Sequence, residues 1–575
     1  MEGHLKDLTG RFGLTRRGGR HRIFLGGETQ SVIRAEILHR ESRLMTVQRS
    51  GIQSKPRRGI RSLPIVRLLV LSSLVVAGTG RGQEARFPLQ LAQGIMAGEV
   101  TQTSVILQSR LTAVRSRVDS RWSGVIGGSG VGRFEVSTTQ DFRDPFYTGW
   151  LTAAPEYDYI VKTKLTGLQP GTRYFYRLSY GPAAASLRSS RTGTFRTHSP
   201  SQAADPVRFA IVTGMSYSRF HSLGSAFHPP YTGPDKALGY RALETIRRLR
   251  PDYFVGTGDN VYFDTPAAGR AETLQQLRMK FQEQFSQQRY IDLFSEVATY
   301  WMKDDHDYRY DDADPVNPFL GPGGEPKNYD APEAGDLRVS GSGYAPSHEL
   351  GIRTFREQLP LVDPEDADAV TYRTYRVNRL LQVWLVEGRD YRSANHLPDG
   401  PQKSIWGEKQ KAWLKSTLLA SDAAFKILIS PTPIVGPDSN DKRDSHANPQ
   451  GFRYEGEEFF RWLQQEGFLR KNFFIVCGDR HWKYHSIHPA GFEEFSTGAL
   501  IDQNAVEGIF PGDPESSDPE GKIRQPYHDP EPQGGFLLLT VSPGQESGSA
   551  QAEFAFYDED GALLYQQTKQ AQRTQ

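Results

Sequence analysis

Three short runs carry residues able to do metal chemistry: Gly258-Asp259-Asn260-Val261-Tyr262, Asp305-His306-Asp307 and Gly478-Asp479-Arg480-His481. Each follows an apolar run with strand character, at residues 252–256, 298–302 and 472–477. A strand that ends in Gly-Asp sets its carboxylate at the carboxyl edge of a sheet, where open α/β folds bind ligands. Asp259, Tyr262, Asp305, Asp479 and His481 gathered at such edges make a cup for two cations, because paired metals need bridging carboxylates and imidazoles. The chemistry that suits such a cup is metal-assisted hydrolysis of a phosphoester. A single Gly-Asp after a strand is more often only a turn; three such runs in order carry the reading.

The elements that must position these residues follow from hydrophobic periodicity. From residue 207 onward strands alternate with helical spacing: strands at 209–213, 252–255, 380–386 and 425–429, helices at 237–249, 271–284, 408–419 and 456–466. This β-α-β alternation predicts a layered α/β domain. Residues 87–198 show period-two alternation instead, at 103–109 and 159–165, and predict an all-β domain. Within it, Leu168-Gln-Pro-Gly-Thr-Arg-Tyr174 places a turn just before an early strand tyrosine, as in the tyrosine corner of fibronectin-type sandwiches. Residues 311–347 and 508–535, rich in Gly, Pro and acids, read as long binding or lid loops. A hairpin is expected at 552–566, turning at Asp558-Glu-Asp-Gly561. The expected domains are a basic leader with a signal-like segment (1–85), a fibronectin-III-like β-sandwich (86–200) and the catalytic domain (201–575).

Composition bounds the function classes. The 575 residues carry a formal charge of +2, with the basic excess concentrated in the first 61 positions. The folded part therefore shows no general basic patch for nucleic acid. One cysteine, Cys477, excludes a disulfide framework and a cysteine-based zinc site. Leu68–Ala77 is too short to span a membrane and suits the core of a signal peptide, with Lys55, Arg57, Arg58 and Arg61 before it and small residues after it. Arg57-Arg58 is compatible with a twin-arginine signal. The expectation is export to a periplasmic or extracellular space, with no stable membrane span in the mature protein.

At these motifs the chain resembles the PhoD-type alkaline phosphatase and phosphodiesterase family of the calcineurin-like metallophosphoesterases. The resemblance spans about residues 88–570 and rests on Gly258-Asp259-x-x-Tyr262, Asp305-His306-Asp307, Glu387-Gly-Arg389-Asp-Tyr-Arg392, Gly407-x-x-Gln410-x-x-Trp413-Leu414 and Gly478-Asp479-x-His481. It implies a four-layer αββα domain and a phosphate ester substrate, monoester or diester, attacked by a hydroxide that two metal ions activate. It further implies that Asp259 bridges the two metals, that Tyr262 (as phenolate) and His481 hold a ferric ion, and that Asp305 and Asp479 face a second, hard cation such as calcium. His306 would protonate the leaving group or stabilise phosphoryl charge, and Arg389 would offer forked donors to phosphate.

The chain departs from the family pattern where a cysteine would ligate iron: Val212-Thr-Gly214-Met-Ser216 has Gly214 there. Manganese or magnesium therefore stay open beside iron and calcium, and a catalytically inactive binding protein of the same fold is the alternative function. His446 is a weaker candidate, as an additional imidazole ligand or an ordinary loop histidine.

Overall fold

The computed structural model describes residues 89–113, 125–315, 339–340, 343–344, 346–546 and 549–571. The leader and the signal-like segment lie outside these residues. Among the described residues no helix is long and apolar enough to cross a membrane.

Two large sheets face each other. The nine-stranded sheet runs in the order Leu563–Gln570, Ala550–Tyr557, Phe536–Pro543, Val207–Val212, Tyr253–Gly256, Ala298–Trp301, Ile95–Gly98, Ser104–Arg110, Ile160–Thr166. The seven-stranded sheet runs Arg373–Arg376, Leu381–Leu385, Phe425–Ser430, Phe473–Cys477, Glu493–Thr497, Lys483–Ile487, Arg524–His528. The central strands of both are parallel, so both their faces must be covered, and their sequences are continuously apolar for that reason. Alternate side chains divide accordingly. Phe209, Ile211 and Val255 point inward to meet Val383, Ile427 and Val476 of the opposite sheet. Phe495 and Phe554 stack across that interface with ring centroids 4.0 Å apart.

The outward residues of the nine-stranded sheet, Val212, Phe254 and Trp301, receive Leu243 and Ile246 of helix Arg241–Leu249, Leu277 and Phe281 of Leu274–Phe285, and Leu293 and Phe294 of Gln288–Glu296. The outward residues of the other sheet, Trp384, Leu428 and Ile475, pack against Leu414 and Leu418 of helix Gly407–Ala420 and Phe459, Phe460 and Leu463 of Arg453–Gln465. The order of layers is helix, sheet, sheet, helix, the expected αββα arrangement. Helix Leu274–Phe285 starts later than its periodicity suggests because Thr273 and Gln276 form a reciprocal capping box.

The amino-terminal β region is joined to this core through its strands. Its six-stranded sheet centres on Gly130–Ser137 and Arg173–Ala183. Its other strands extend the nine-stranded sheet instead: Ile95–Gly98 lies parallel to Ala298–Trp301, and Thr299 and Tyr300 bond to the carbonyls of Ala97 (3.1 Å) and Val100 (2.7 Å). The expected tyrosine corner is present, with the Gln169 amide donating to the Tyr174 hydroxyl at 2.8 Å.

Other elements differ from the sequence expectation. Residues 508–535 are not all loop: Arg524–His528 adds an edge strand beside Lys483–Ile487. Helices Gln288–Glu296 and His348–Gln358 were not foreseen. The expected loop at 311–347 carries a short strand pair, Val339–Ser340 with Gly343–Tyr344. The carboxyl-terminal hairpin forms as Ala550–Tyr557 with Leu563–Gln570.

Candidate metal centre

The three motif runs all emerge from carboxyl ends of parallel strands: Tyr253–Gly256, Ala298–Trp301 and Phe473–Cys477. Backbone conformation aims the first and third. Asp259 and Asp479 hold left-handed φ angles of 55° and 61°, which turn their carboxylates back over the sheet edge. Gly258 (φ 126°) makes this turn possible, since a Cβ there would lie 2.4 Å from the Cβ of Asp304. A left-handed aspartate costs free energy, and such strain persists where the surrounding structure over-determines it, often at functional sites.

Asp259, Tyr262 and His481 form a compact triangle. The Tyr262 hydroxyl lies 2.8 Å from Asp259 Oδ2, His481 Nε2 lies 2.8 Å from the same oxygen, and Tyr262 Oη and His481 Nε2 are 3.1 Å apart. Cis ligands of a cation with bonds of about 2.0–2.1 Å stand about 2.9 Å apart, so these spacings also suit three ligands of one ion. The second oxygen of Asp259 is buried with no hydrogen-bond partner, as is Oδ2 of Asp304. Asp259, Asp305 and His306 each offer a ligand atom within 4.8 Å of the others, and Asp305, Asp311 and Asp312 form a second such group. A buried carboxylate oxygen left without a partner is costly, and a bound cation removes that cost. The donor set therefore fits metal ions.

Electrostatics point the same way. Burial, with only partial relief from His306, drives the carboxyl of Asp259 well above its ordinary range, and neighbouring Asp305, Asp304 and Asp479 add to the shift. Burial likewise pushes Asp479 up to about 7 although Arg480 opposes it. His481 is held neutral: burial, then the cations His306, Arg480 and Arg219, keep it well below the usual imidazole range. A neutral imidazole is the form that ligates metals.

His306 is of the opposite kind. Burial disfavours its charged form, yet Asp264, Asp305 and Asp259 outweigh this and hold its pKa well above the usual value. Its Nδ1 lies 2.9 Å from both oxygens of Asp264, and its ring stacks on Tyr262 at 4.3 Å. Asp305 accepts the amides of His306 (2.8 Å) and Asp312 (2.6 Å). Asp479 is paired with Arg480 and senses the charge of Asp444 and Asp305.

Arg389 braces this group from behind. It is fully buried, with Nε on Asp304 (2.6 Å), Nη1 on the Ala313 carbonyl (2.8 Å) and Nη2 on Asp444 (3.2 Å). His446 is tied to Glu455 at 3.0 Å beside the Trp406 ring. Asp264 and Asn504 escaped the sequence reading. Asp264 lies five residues past Asp259, in the same turn, and a search for partners of His306 would have weighed it. Asn504 donates to Tyr262 Oη at 2.7 Å from a short turn with no spacing signal. It also explains Gly214. With φ at 67°, a Cβ on residue 214 would come within 2.9 Å of the Ala499 Cα and 3.2 Å of Asn504 Nδ2.

Two family models match this architecture in sequence order: the PhoD-like phosphatase N-terminal domain over residues 77–199 and the PhoD-like phosphatase over residues 224–509. The chain belongs to the PhoD-like phosphatase family. Membership makes it a phosphoester hydrolase. Among curated proteins, it is 22% identical to alkaline phosphatase D of Bacillus subtilis (strain 168), over 82% of this chain and 79% of that one. Among solved structures, one of PhoD superposes with a TM-score of 0.61 at 18% identity, covering 85% of this chain and 91% of that chain, which is a likeness of fold.

Proposed function

We propose that this phosphatase hydrolyses phosphate esters at a two-metal centre held by Asp259, Tyr262, Asp305, Asp479 and His481, and that it does so outside the cytoplasm. The observation that carries the reading is the Asp259–Tyr262–His481 triangle beside an orphaned Asp259 oxygen. Asp259, Tyr262 and His481 would hold one ion, and Asp259 with Asp305 and Asp479 would hold the other. A phenolate and a neutral imidazole favour a ferric ion on the triangle side, and the carboxylates Asp305 and Asp479 favour a hard cation such as calcium on the other. Bound metals supply Lewis-acid charge to the phosphoryl oxygens and make water nucleophilic near neutral pH.

The chain's own groups complete the chemistry. Asp264 orients His306 through Nδ1 and stabilises its charged form, so that the imidazolium carries a proton to the departing alkoxide. Arg389 acts through Asp304 and Asp444, fixing the wall behind the metals, in place of the phosphate clamp expected from sequence. The signal-like segment at 55–80 supports export. Asp259→Asn tests the proposal. Loss of an outer-sphere partner costs metal sites about 10- to 100-fold, so loss of the bridging ligand should lower turnover of p-nitrophenyl phosphate and its bis-ester by more than about a hundredfold. Retained turnover would remove Asp259 from the centre.

A further inference from the structure

At the opposite, amino-terminal edge of the same parallel strands lies a second cleft, of about 640 Å³. A four-residue strand at about 3.3 Å per residue leaves roughly 13 Å of sheet between it and the metal centre. The cleft opens between the six-stranded sheet and the end of helix Arg241–Leu249, and five arginines line it: Arg173, Arg196, Arg247, Arg248 and Arg250. Two acids, Asp252 and Glu296, face them. Glu296 is taken up by Arg247 in a forked pair at 3.0 and 2.8 Å, while Asp252 accepts the Arg208 amide at 2.9 Å and is a single carboxylate shared among the charges of Arg196, Arg208 and Arg173.

The remaining guanidiniums face solvent with few protein partners: Arg173, Arg248 and Arg250 are exposed and Arg196 is half-buried. Arg173 and Arg250 make no side-chain hydrogen bond or close ion pair among the described residues. Arg196 reaches only the Gly171 carbonyl, at 3.4 Å, and Arg248 only the Thr245 hydroxyl, at 2.8 Å. Arg173 and Arg196 are also direct register partners on adjacent antiparallel strands, so they project from one face side by side. Like charges directly opposite one another destabilise a sheet. Arg247 and Arg248 have an ordinary explanation, since cations at a helix carboxyl end complement its dipole. That account does not extend to Arg173 and Arg196 on strands, nor to Arg250, which holds a left-handed φ of 52° at the helix end.

We propose that this cleft is an anion site, separate from the metal centre, that binds the phosphoryl group of a small phosphorylated ligand. Arginine forks match tetrahedral phosphate oxygens, and the volume falls within the range of small-molecule pockets, which leaves room for an organic body beyond one phosphate. The ligand's phosphate lies between Arg173 and Arg196 and relieves their repulsion, and Arg250 closes the exposed side.

The test is calorimetric titration of the Asp259→Asn protein, whose turnover is lowered more than about a hundredfold, with inorganic phosphate and with glycerol 3-phosphate. Adding R173Q/R196Q should weaken binding at this site at least tenfold, and adding R250Q alone should weaken it measurably. Tighter binding of glycerol 3-phosphate assigns the site to an organic phosphate, and equal binding assigns it to phosphate itself; both support the anion site. Without ligand, R173Q/R196Q should melt no lower than its parent, because a like-charge pair has been removed. Phosphate should raise the melting temperature of the parent and leave that of R173Q/R196Q unchanged. Binding undiminished in both arginine variants, or a melting shift reproduced by sodium chloride at equal ionic strength, overturns the proposal.

Discussion

Tyr262 and Gly214 stand on either side of Asn504, and together they show what single residues decide here. The Tyr262 oxygen lies within 3.1 Å of Asp259, His481 and the Asn504 amide, and burial with the Asp259 charge raises its pKa, so it would ionise only where a cation replaces its proton. If the ion is ferric, the purified protein absorbs visible light by phenolate-to-iron charge transfer. Tyr262→Phe then abolishes that band, while its far-ultraviolet circular dichroism stays that of the parent. Restoring the family's cysteine as Gly214→Cys should fail. The left-handed backbone and the Ala499 contact make it destabilising by about 1–3 kcal/mol, read from urea unfolding midpoints. His306→Ala is a test of proton donation: activity should fall more for alkyl phosphates, whose leaving groups need a proton, than for p-nitrophenyl phosphate. Equal losses on both would give His306 a purely electrostatic part.

The candidate metal-binding residues could be picked out at this scale because Gly-Asp and Asp-His after apolar runs have a physical meaning that depends on short spacing. Asn504 was not, since it comes from a distant turn whose position only tertiary structure sets. Arg389 was legible as a residue of the site, but its commitment to Asp304 and Asp444 depends on burial that a sequence does not display.

Among the elements, the strands were the easiest to read and the helices the least complete. Strands covered on both faces appear as unbroken apolar runs, and all three feeders of the metal centre were of this type. Helix Gln288–Glu296 was missed because its nine residues hold Tyr290, Leu293 and Phe294 at helical spacing for little more than one turn, too short a window for periodicity to stand out. Edge strand Arg524–His528 was missed because it alternates exposed and half-buried residues and shows no apolar face. One junction between elements makes a pH prediction. His198 follows the last strand of the amino-terminal region, fully buried among Tyr253, Tyr300 and Tyr375, with Nε2 2.8 Å from the Tyr300 hydroxyl. Burial lowers its pKa to about 3. The unfolded chain, with a histidine near 6.5, then takes up a proton that the folded chain refuses as pH falls through 6.5 toward 3. Folding stability should drop by about 2 kcal/mol between pH 7 and pH 5 from this residue. His198→Phe should flatten that part of the pH profile, and an unchanged profile would contradict the assignment.

At the scale of the molecule, a sandwich followed by a catalytic domain was the natural reading of a period-two region followed by β-α-β alternation. Periodicity reports which side chains are buried but not which sheet a strand joins. The strand pairing Gly98↔Thr299 and the bonds from Thr299 and Tyr300 make the amino-terminal strands part of the sheet that carries the candidate metal centre. A chain begun at residue 201 exposes the inner edge of strand Ala298–Trp301, together with the buried residues it shares with Ile95 and Val105. Such a truncation should be insoluble or lose its near-ultraviolet circular dichroism; a well-folded, active product would show that the two regions are independent.

The central claim, that donors from three strand ends share a pair of cations, is tested most directly by elemental analysis of protein purified without added metal from its native compartment, set beside its turnover. Two metal ions per chain, iron among them, with activity falling as they are chelated and returning as they are restored, is the predicted result. Full turnover from protein stripped of metal would contradict it.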